Sequence, residues 1–328
     1  MKQLYLIGNG FDIHHDIPSR YSNYRGWLEE HDVELIENLR NYYDVDSQEW
    51  WNQFELELGH PDMADYIDNT ALENEPNFGS DDFHDSDYHT GQIVAEDEIG
   101  SLITSIKGTF TEWVGSLPEP NVDKRIKLDV DDAFFISFNY TDTLQTLYNV
   151  KRANVLFIHG NVGYGTELIL GHNRPHDELD SEFAPKETPP DNLSEEELAE
   201  WRDEMAANGE DYVHQSVRWE VVSQILRLRK DTEGIIKLNK NVFGALKDVR
   251  IVHVYGLSFS PVDLPYLDEI VGDVNAAATK WEVSFYSDED KVRAEQFFGS
   301  RGIRADLVSY AKLDDLLVVK QLDLPFDK

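Results

Sequence analysis

Four short polar loops carry residue types that could do chemistry, and each follows an apolar run. In Gly8-Asn9-Gly10-Phe11-Asp12, two glycines stand where a strand-to-helix turn would let backbone N–H groups approach a phosphate. Ile13 occupies the place of the third glycine in the usual dinucleotide fingerprint. No acid closes a clear second strand about 20 residues later, so a dehydrogenase-type site is disfavoured. Phe138-Asn139-Tyr140-Thr141-Asp142 offers an amide with donor and acceptor, and a carboxylate acceptor. Ile158-His159-Gly160-Asn161 offers an imidazole able to act as a base near neutral pH. Gly256-Leu257-Ser258-Phe259-Ser260 would supply a second set of donors for a nucleotide. Each loop also has a plain structural reading: a tight turn, a helix cap from Asn139 or Thr141, a hydrogen-bonded histidine.

The segments that must position these loops are short and apolar. Leu4–Ile7, Ala133–Phe138, Val155–Ile158, Leu168–Leu170, Ile251–Tyr255 and Val283–Tyr286 read as strands. They are aromatic and β-branched without clean alternation, as expected of strands covered on both faces of a parallel sheet. Helical spacing runs through Tyr21–Tyr43, Glu49–Leu58, Glu96–Leu117, Tyr212–Arg229, Ile235–Leu246, Leu264–Val274 and Lys291–Phe298. Ser194-Glu195-Glu196-Glu197 fits a capping box that opens another helix. Strands alternating with helices predict an α/β three-layer fold over residues 1–328, with residues 20–130 as a helical insertion or lid. In such a sheet the polar loops gather at the carboxyl ends of the strands, where open α/β sheets bind ligands.

Composition narrows the function classes. The chain has 328 residues, 29 Lys plus Arg against 64 Asp plus Glu, and a formal net charge of −35. Residues 73–98 and 176–211 supply 21 of the 35 excess negative charges and read as acidic surface loops. With no basic cluster to face a phosphate backbone, non-specific nucleic-acid binding is disfavoured. Cysteine is absent, which removes disulfides, thiolate metal sites and a cysteine nucleophile. His14 and His15 are adjacent, a spacing that does not place two rings on one ion from one helix face, so no metal is predicted; His14 is kept as a pocket residue. Glu55 reads as a surface acid. No apolar run reaches a membrane span and no signal-peptide pattern opens the chain, so the expectation is a soluble cytoplasmic protein.

Taken together, Leu6-Ile7-Gly8-Asn9-Gly10-Phe11-Asp12, Phe138-Asn139-Tyr140-Thr141 and Ile158-His159-Gly160 resemble the abortive-infection AbiH family of bacterial phage-defence proteins, over nearly the whole chain. That family is in turn similar to sirtuin-like NAD-binding domains, a Rossmann-like three-layer fold. Sirtuins carry Gly-Ala-Gly-x-Ser and then Gly-Ile-Pro-Asp; here Asp16-Ile17-Pro18-Ser19 follows Gly8-Asn9-Gly10-Phe11-Asp12 at the same spacing. The sirtuin Gln-Asn-Ile-Asp matches Asn139 with Asp142 one place late, the His-Gly matches His159-Gly160, and the Gly-Thr-Ser loop matches Gly256-Leu257-Ser258. Without cysteine the four-cysteine zinc module of deacetylases is missing, and deacetylation is disfavoured.

The resemblance implies NAD, as substrate or ligand, bound across the strand ends. Gly8, Asn9 and Gly10 would cradle the diphosphate, within a first loop that also holds Phe11, Asp12 and Pro18. Gly256 and Ser258 would meet the adenosine side. Asn139 would hold the nicotinamide ribose or position a water, and His159 would orient or deprotonate the nucleophile. Asp142 or Asp12 would supply negative charge to an oxocarbenium-like ribose, by analogy with glycoside hydrolysis. The implied function is an NAD glycohydrolase of phage defence. Such a toxic hydrolase needs restraint, by a homo-oligomer equilibrium, a lid, an inhibitor or a phage-derived trigger. A non-catalytic NAD or ADP-ribose sensor, a nuclease-type effector on the same fold, and an acidic interaction protein are the alternatives.

Overall fold

Six strands form one sheet: β1 (Gln3–Ile7), β2 (Ala133–Ser137), β3 (Val155–Phe157), β4 (Ile251–Tyr255), β5 (Lys280–Ser284) and β6 (Val308–Ala311). Their order is β3-β2-β1-β4-β5-β6 and every pairing is parallel. The computed structural model describes residues 2–77, 83–184 and 212–318, with Ser194, Glu197 and Ala199.

The strands alternate between two buried faces. Leu4, Leu6, Ile136, Val252, Val254 and Val283 pack on one side against Tyr266, Leu267 and Ile270 of the helix Leu264–Asp273 and Phe297 and Phe298 of the helix Asp288–Ser300. Tyr5, Ile7, Phe135, Phe157 and Tyr255 pack on the other against Phe11 of the helix Asn9–His14 and Leu144, Leu147 and Tyr148 of the helix Thr143–Tyr148. Each large side chain so buried contributes about 1.5–3 kcal/mol. Apolar residues on both faces explain why the strands show no polar alternation. This is a Rossmann-like three-layer fold, and its strand order reverses between β1 and β4. The register aligns Ile7 with both Ser137 and Tyr255, and Ser137 with Phe157, so the first four strands end level.

The chain forms two compact units. The first comprises Met1–His31, Thr109–Leu170 and Lys230–Lys328 and holds the sheet. The second comprises Asp32–Gly108 and Gly171–Arg229 and is helical, including Val33–Arg40, Ala64–Glu73, His176–Phe183 and Tyr212–Leu226. Trp50, Trp51 and Phe54 are buried in it, with Trp51 stacked on Phe54 at 5.5 Å. Arg174 ties it together, donating to the Gly59 carbonyl at 2.6 Å and to Glu178 and Glu182.

Several expected elements have different bounds. The spacing over Tyr21–Tyr43 covers two helices, Tyr21–His31 and Val33–Arg40, because the Asp32 carboxylate accepts from the Leu35 amide at 3.0 Å and starts a new helix. Leu168–Leu170 is not a strand: the Ile169 amide makes a single bond to the His159 carbonyl at 2.9 Å, outside any ladder. The helix Asp288–Ser300 begins three residues before its apolar pattern, at a capping box between Ser287 and Asp290. In the acidic stretch 73–98, residues from Thr90 onward belong to the helix Thr90–Gly115, and 176–211 opens with the helix His176–Phe183, so neither is loop throughout. Residues 78–82, 185–193 and most of 195–211 lie outside the described residues. The Ser194–Glu197 capping bonds form.

Candidate functional site at the strand ends

The loops after β1 and β4 meet backbone to backbone. The Gly8 amide donates to the Tyr255 carbonyl at 2.9 Å, and the Gly10 amide donates to the Gly256 carbonyl at 2.8 Å. A Cβ at Gly8 would stand 2.6 Å from the Gly256 oxygen. Gly256 has φ +68°, and its Cβ would stand 2.0 Å from the Phe11 nitrogen. The glycines here are required by close approach and, at Gly256, by a left-handed backbone. Two of the amides assigned to a phosphate cradle are therefore already spent on carbonyls. The Asn9 side chain is held by Ser19, donating to its carbonyl at 2.7 Å and accepting from its hydroxyl at 2.5 Å. Phe11 is a core residue, packed on His15 at 4.5 Å and Tyr148 at 5.7 Å. Pro18 and Ser258 are exposed, and Phe259 adopts φ +57°, a strained conformation for a bulky residue.

Asp12 turns inward and clasps the β2 loop. Thr141 Oγ1 donates to one carboxylate oxygen at 2.6 Å and Thr143 Oγ1 to the other at 2.8 Å. Burial raises its pKa from 3.8 to about 6; the two threonine hydroxyls and, more weakly, the Asn139 amide oppose the rise, and Asp142 adds to it. Thr141 thus serves Asp12 and caps no helix. Asp142, half-buried, begins the helix Thr143–Tyr148 without a side-chain capping bond. Asn161 joins the β3 loop to the same place, its amide donating to the Thr141 carbonyl at 2.8 Å.

His159 and Asn139 stand at the ends of β3 and β2, and extending the register sets them side by side. His159 is 1% exposed among the rings of Phe138 (5.6 Å), Tyr266 (5.6 Å) and the half-buried Tyr140 (6.2 Å). Lys230, itself 1% exposed, places Nζ 3.4 Å from His159 Nδ1. Asp263 Oδ1 lies 3.8 Å from Lys230 Nζ and 3.7 Å from His159 Nε2, the latter beyond hydrogen-bonding reach. Burial holds the His159 pKa well below the usual value, the Lys230 charge lowers it further, and the Phe138 carbonyl opposes both; the ring is neutral. Its Nε2 has no hydrogen-bond partner, and neither polar atom of the Asn139 amide, 5% exposed, has one in bonding geometry. Buried polar groups are nearly always paired, so unpaired atoms at two neighbouring strand ends make this the candidate site for a ligand.

Sequence reading missed Lys230 and Asp263. Lys230 directly follows the helical stretch Tyr212–Arg229 and Asp263 directly precedes Leu264–Val274, and neither stands in one of the four polar loops. Asp263 occupies the N-cap position of the helix Leu264–Asp273, yet its side chain makes no capping bond. His14 binds the Lys124 carbonyl at 2.9 Å, and His15 bridges the Phe11 carbonyl and the Tyr148 hydroxyl. Among the described residues no group of three His, Asp or Glu side chains is arranged to hold a metal, and no helix is long and apolar enough to cross a membrane.

The fold and the polar strand ends define a doubly wound α/β protein with a candidate ligand site beside its switch point. The chain belongs to the bacteriophage abortive infection AbiH family, whose family model matches residues 4–285, and so to phage abortive-infection defence. No curated protein and no solved structure matches it.

Proposed function

We propose that this phage-defence protein is an NAD glycohydrolase that releases nicotinamide at the ends of β1 to β4. The observation that carries the reading is the pair of buried, unpartnered polar side chains, Asn139 and His159, at adjacent strand ends. The strand order, with its reversal between β1 and β4, supports a dinucleotide as the ligand. In this reading Asn139 holds the nicotinamide ribose or a water, and His159 orients the nucleophile. Gly8, Asn9, Gly10, Gly256 and exposed Ser258 line the diphosphate and adenosine side. The C–N glycosidic bond breaks with its electron pair leaving on nicotinamide, and water adds to the anomeric carbon. Nicotinamide departs neutral from a cation, so the step needs no general acid. Asp142 or Asp12 stabilises the positive ribose.

Both polar side chains are shielded from solvent, so nucleotide entry requires neighbouring groups to move, which suits a latent hydrolase. The same shielding favours a second reading, a sensor that binds NAD or ADP-ribose without cleaving it. Nicotinamide release from NAD, with and without phage lysate, tests the proposal. Release by the wild type, falling about 10²–10³-fold in His159→Ala and Asn139→Ala as a positioned hydrogen-bonding group is lost, is expected. Saturable binding with no release under either condition supports the sensor. Release that both variants retain would overturn the site assignment.

A further inference from the structure

We infer that Lys230 is a positioning residue that fixes the tautomer of His159, keeping the proton on Nε2 so that the ring meets a ligand as a hydrogen-bond donor and not as a base. The contact between Lys230 Nζ and His159 Nδ1 spans 3.4 Å, and both side chains are buried. An ammonium has three donors and no acceptor, so the ring nitrogen facing it must accept. In a neutral imidazole the single proton then resides on Nε2.

Asp263 lies near both groups, its Oδ1 3.7 Å from His159 Nε2. The same oxygen lies 3.8 Å from the ammonium, and the side chain makes no capping bond. A carboxylate at that distance carries the charge opposite to the ammonium's. The competing states are disfavoured by the same contacts. A proton on Nδ1 would point at the ammonium, and an imidazolium would set two cations together in a buried place. The rings of Phe138, Tyr266 and Tyr140 pack around the imidazole and limit its rotation.

The consequence for catalysis rests on the NAD reading; the tautomer itself does not. If NAD is the ligand, His159 donates to a ribose or water oxygen and orients it, while removal of a proton from the nucleophile falls to another group.

The test is the histidine side-chain ¹⁵N spectrum of the full chain at neutral pH, with His159 assigned by its loss in His159→Gln. The expected result is a neutral ring protonated on Nε2, with the same pattern in Lys230→Arg, whose guanidinium also only donates. Lys230→Met should shift the Nδ1 resonance or mix the tautomers. A wild-type ring protonated on Nδ1, or on both nitrogens, overturns the inference, as does a Lys230→Met spectrum identical to wild type. Should Lys230→Met fail to fold, as read by its thermal melt, the wild-type and Lys230→Arg spectra decide alone. NAD added to the same sample tests the other reading separately. No response to NAD counts against the nucleotide and leaves the tautomer standing.

Discussion

Between β1 and β4 the loops meet backbone to backbone, with the Gly8 and Gly10 amides given to the Tyr255 and Gly256 carbonyls. Between β2 and β3 the loops leave the Asn139 amide and His159 Nε2 buried without a partner. The first region is saturated and tolerates no Cβ; the second keeps hydrogen-bonding capacity in reserve. A glycine-rich turn after the first strand therefore works here as a joint between the ends of the two central strands. The unpaired polar atoms lie one strand further out, and Asp12 links the two by binding Thr141 and Thr143.

The contrast is broken most severely at the joint. Gly256→Ala forces a side chain into a left-handed backbone and onto the Phe11 nitrogen, and should cost at least about 3 kcal/mol in urea unfolding. A near-neutral Gly256→Ala would show that the joint yields and that the two regions do not differ as described.

Titration separates the regions next. The folded pKa of Asp12, about 6, lies above its ordinary value of 3.8. The folded chain binds that proton more tightly, so this contribution is fully present below the unfolded pKa and is lost as pH rises through about 6. Its size is about 3 kcal/mol at most. Asp12→Asn should flatten that part of a stability-versus-pH curve. His15 and His172, each lowered to about 4 by burial, act in the opposite sense. Their contribution is present above the ordinary histidine pKa of 6.5 and is lost as pH falls toward 4. Thermal melts of His15→Gln should lose less stability on acidification than the wild type.

At the open end the expected stability effects are smaller. Asn139→Ala deletes two unpartnered polar atoms and should change unfolding free energy by less than about 1 kcal/mol, while weakening ligand binding at least tenfold. A large loss of stability would mean that Asn139 has a structural role and would remove the contrast. Ser258→Ala, at an exposed position, should stay within about 0.5 kcal/mol.

Much of this was legible in the residues. Four apolar runs set β1 to β4 within one residue at either end, and the polar loops behind them identified where the strands finish. β6 escaped notice because Val308–Ala311 is four residues long and only half-buried, with no apolar run to declare it. Leu168–Leu170 looked like a strand because burial under the β3 loop demands the same residue types as a sheet. Phe11 follows two glycines, and nothing local says whether it faces a ligand or the core. Lys230 and Asp263 come from segments 71 and 104 residues beyond His159, and their meeting is a product of the fold that no local pattern encodes.

The central claim is that the β2–β3 strand end binds a nucleotide through groups that the fold leaves unpaired. Calorimetric titration of NAD into the full chain, wild type beside Asn139→Ala, tests it most directly. The account predicts saturable binding by the wild type and at least tenfold weaker binding by a variant with an unchanged melting temperature. Equal affinity in the two proteins, or no saturable binding of NAD or ADP-ribose by either, would contradict it.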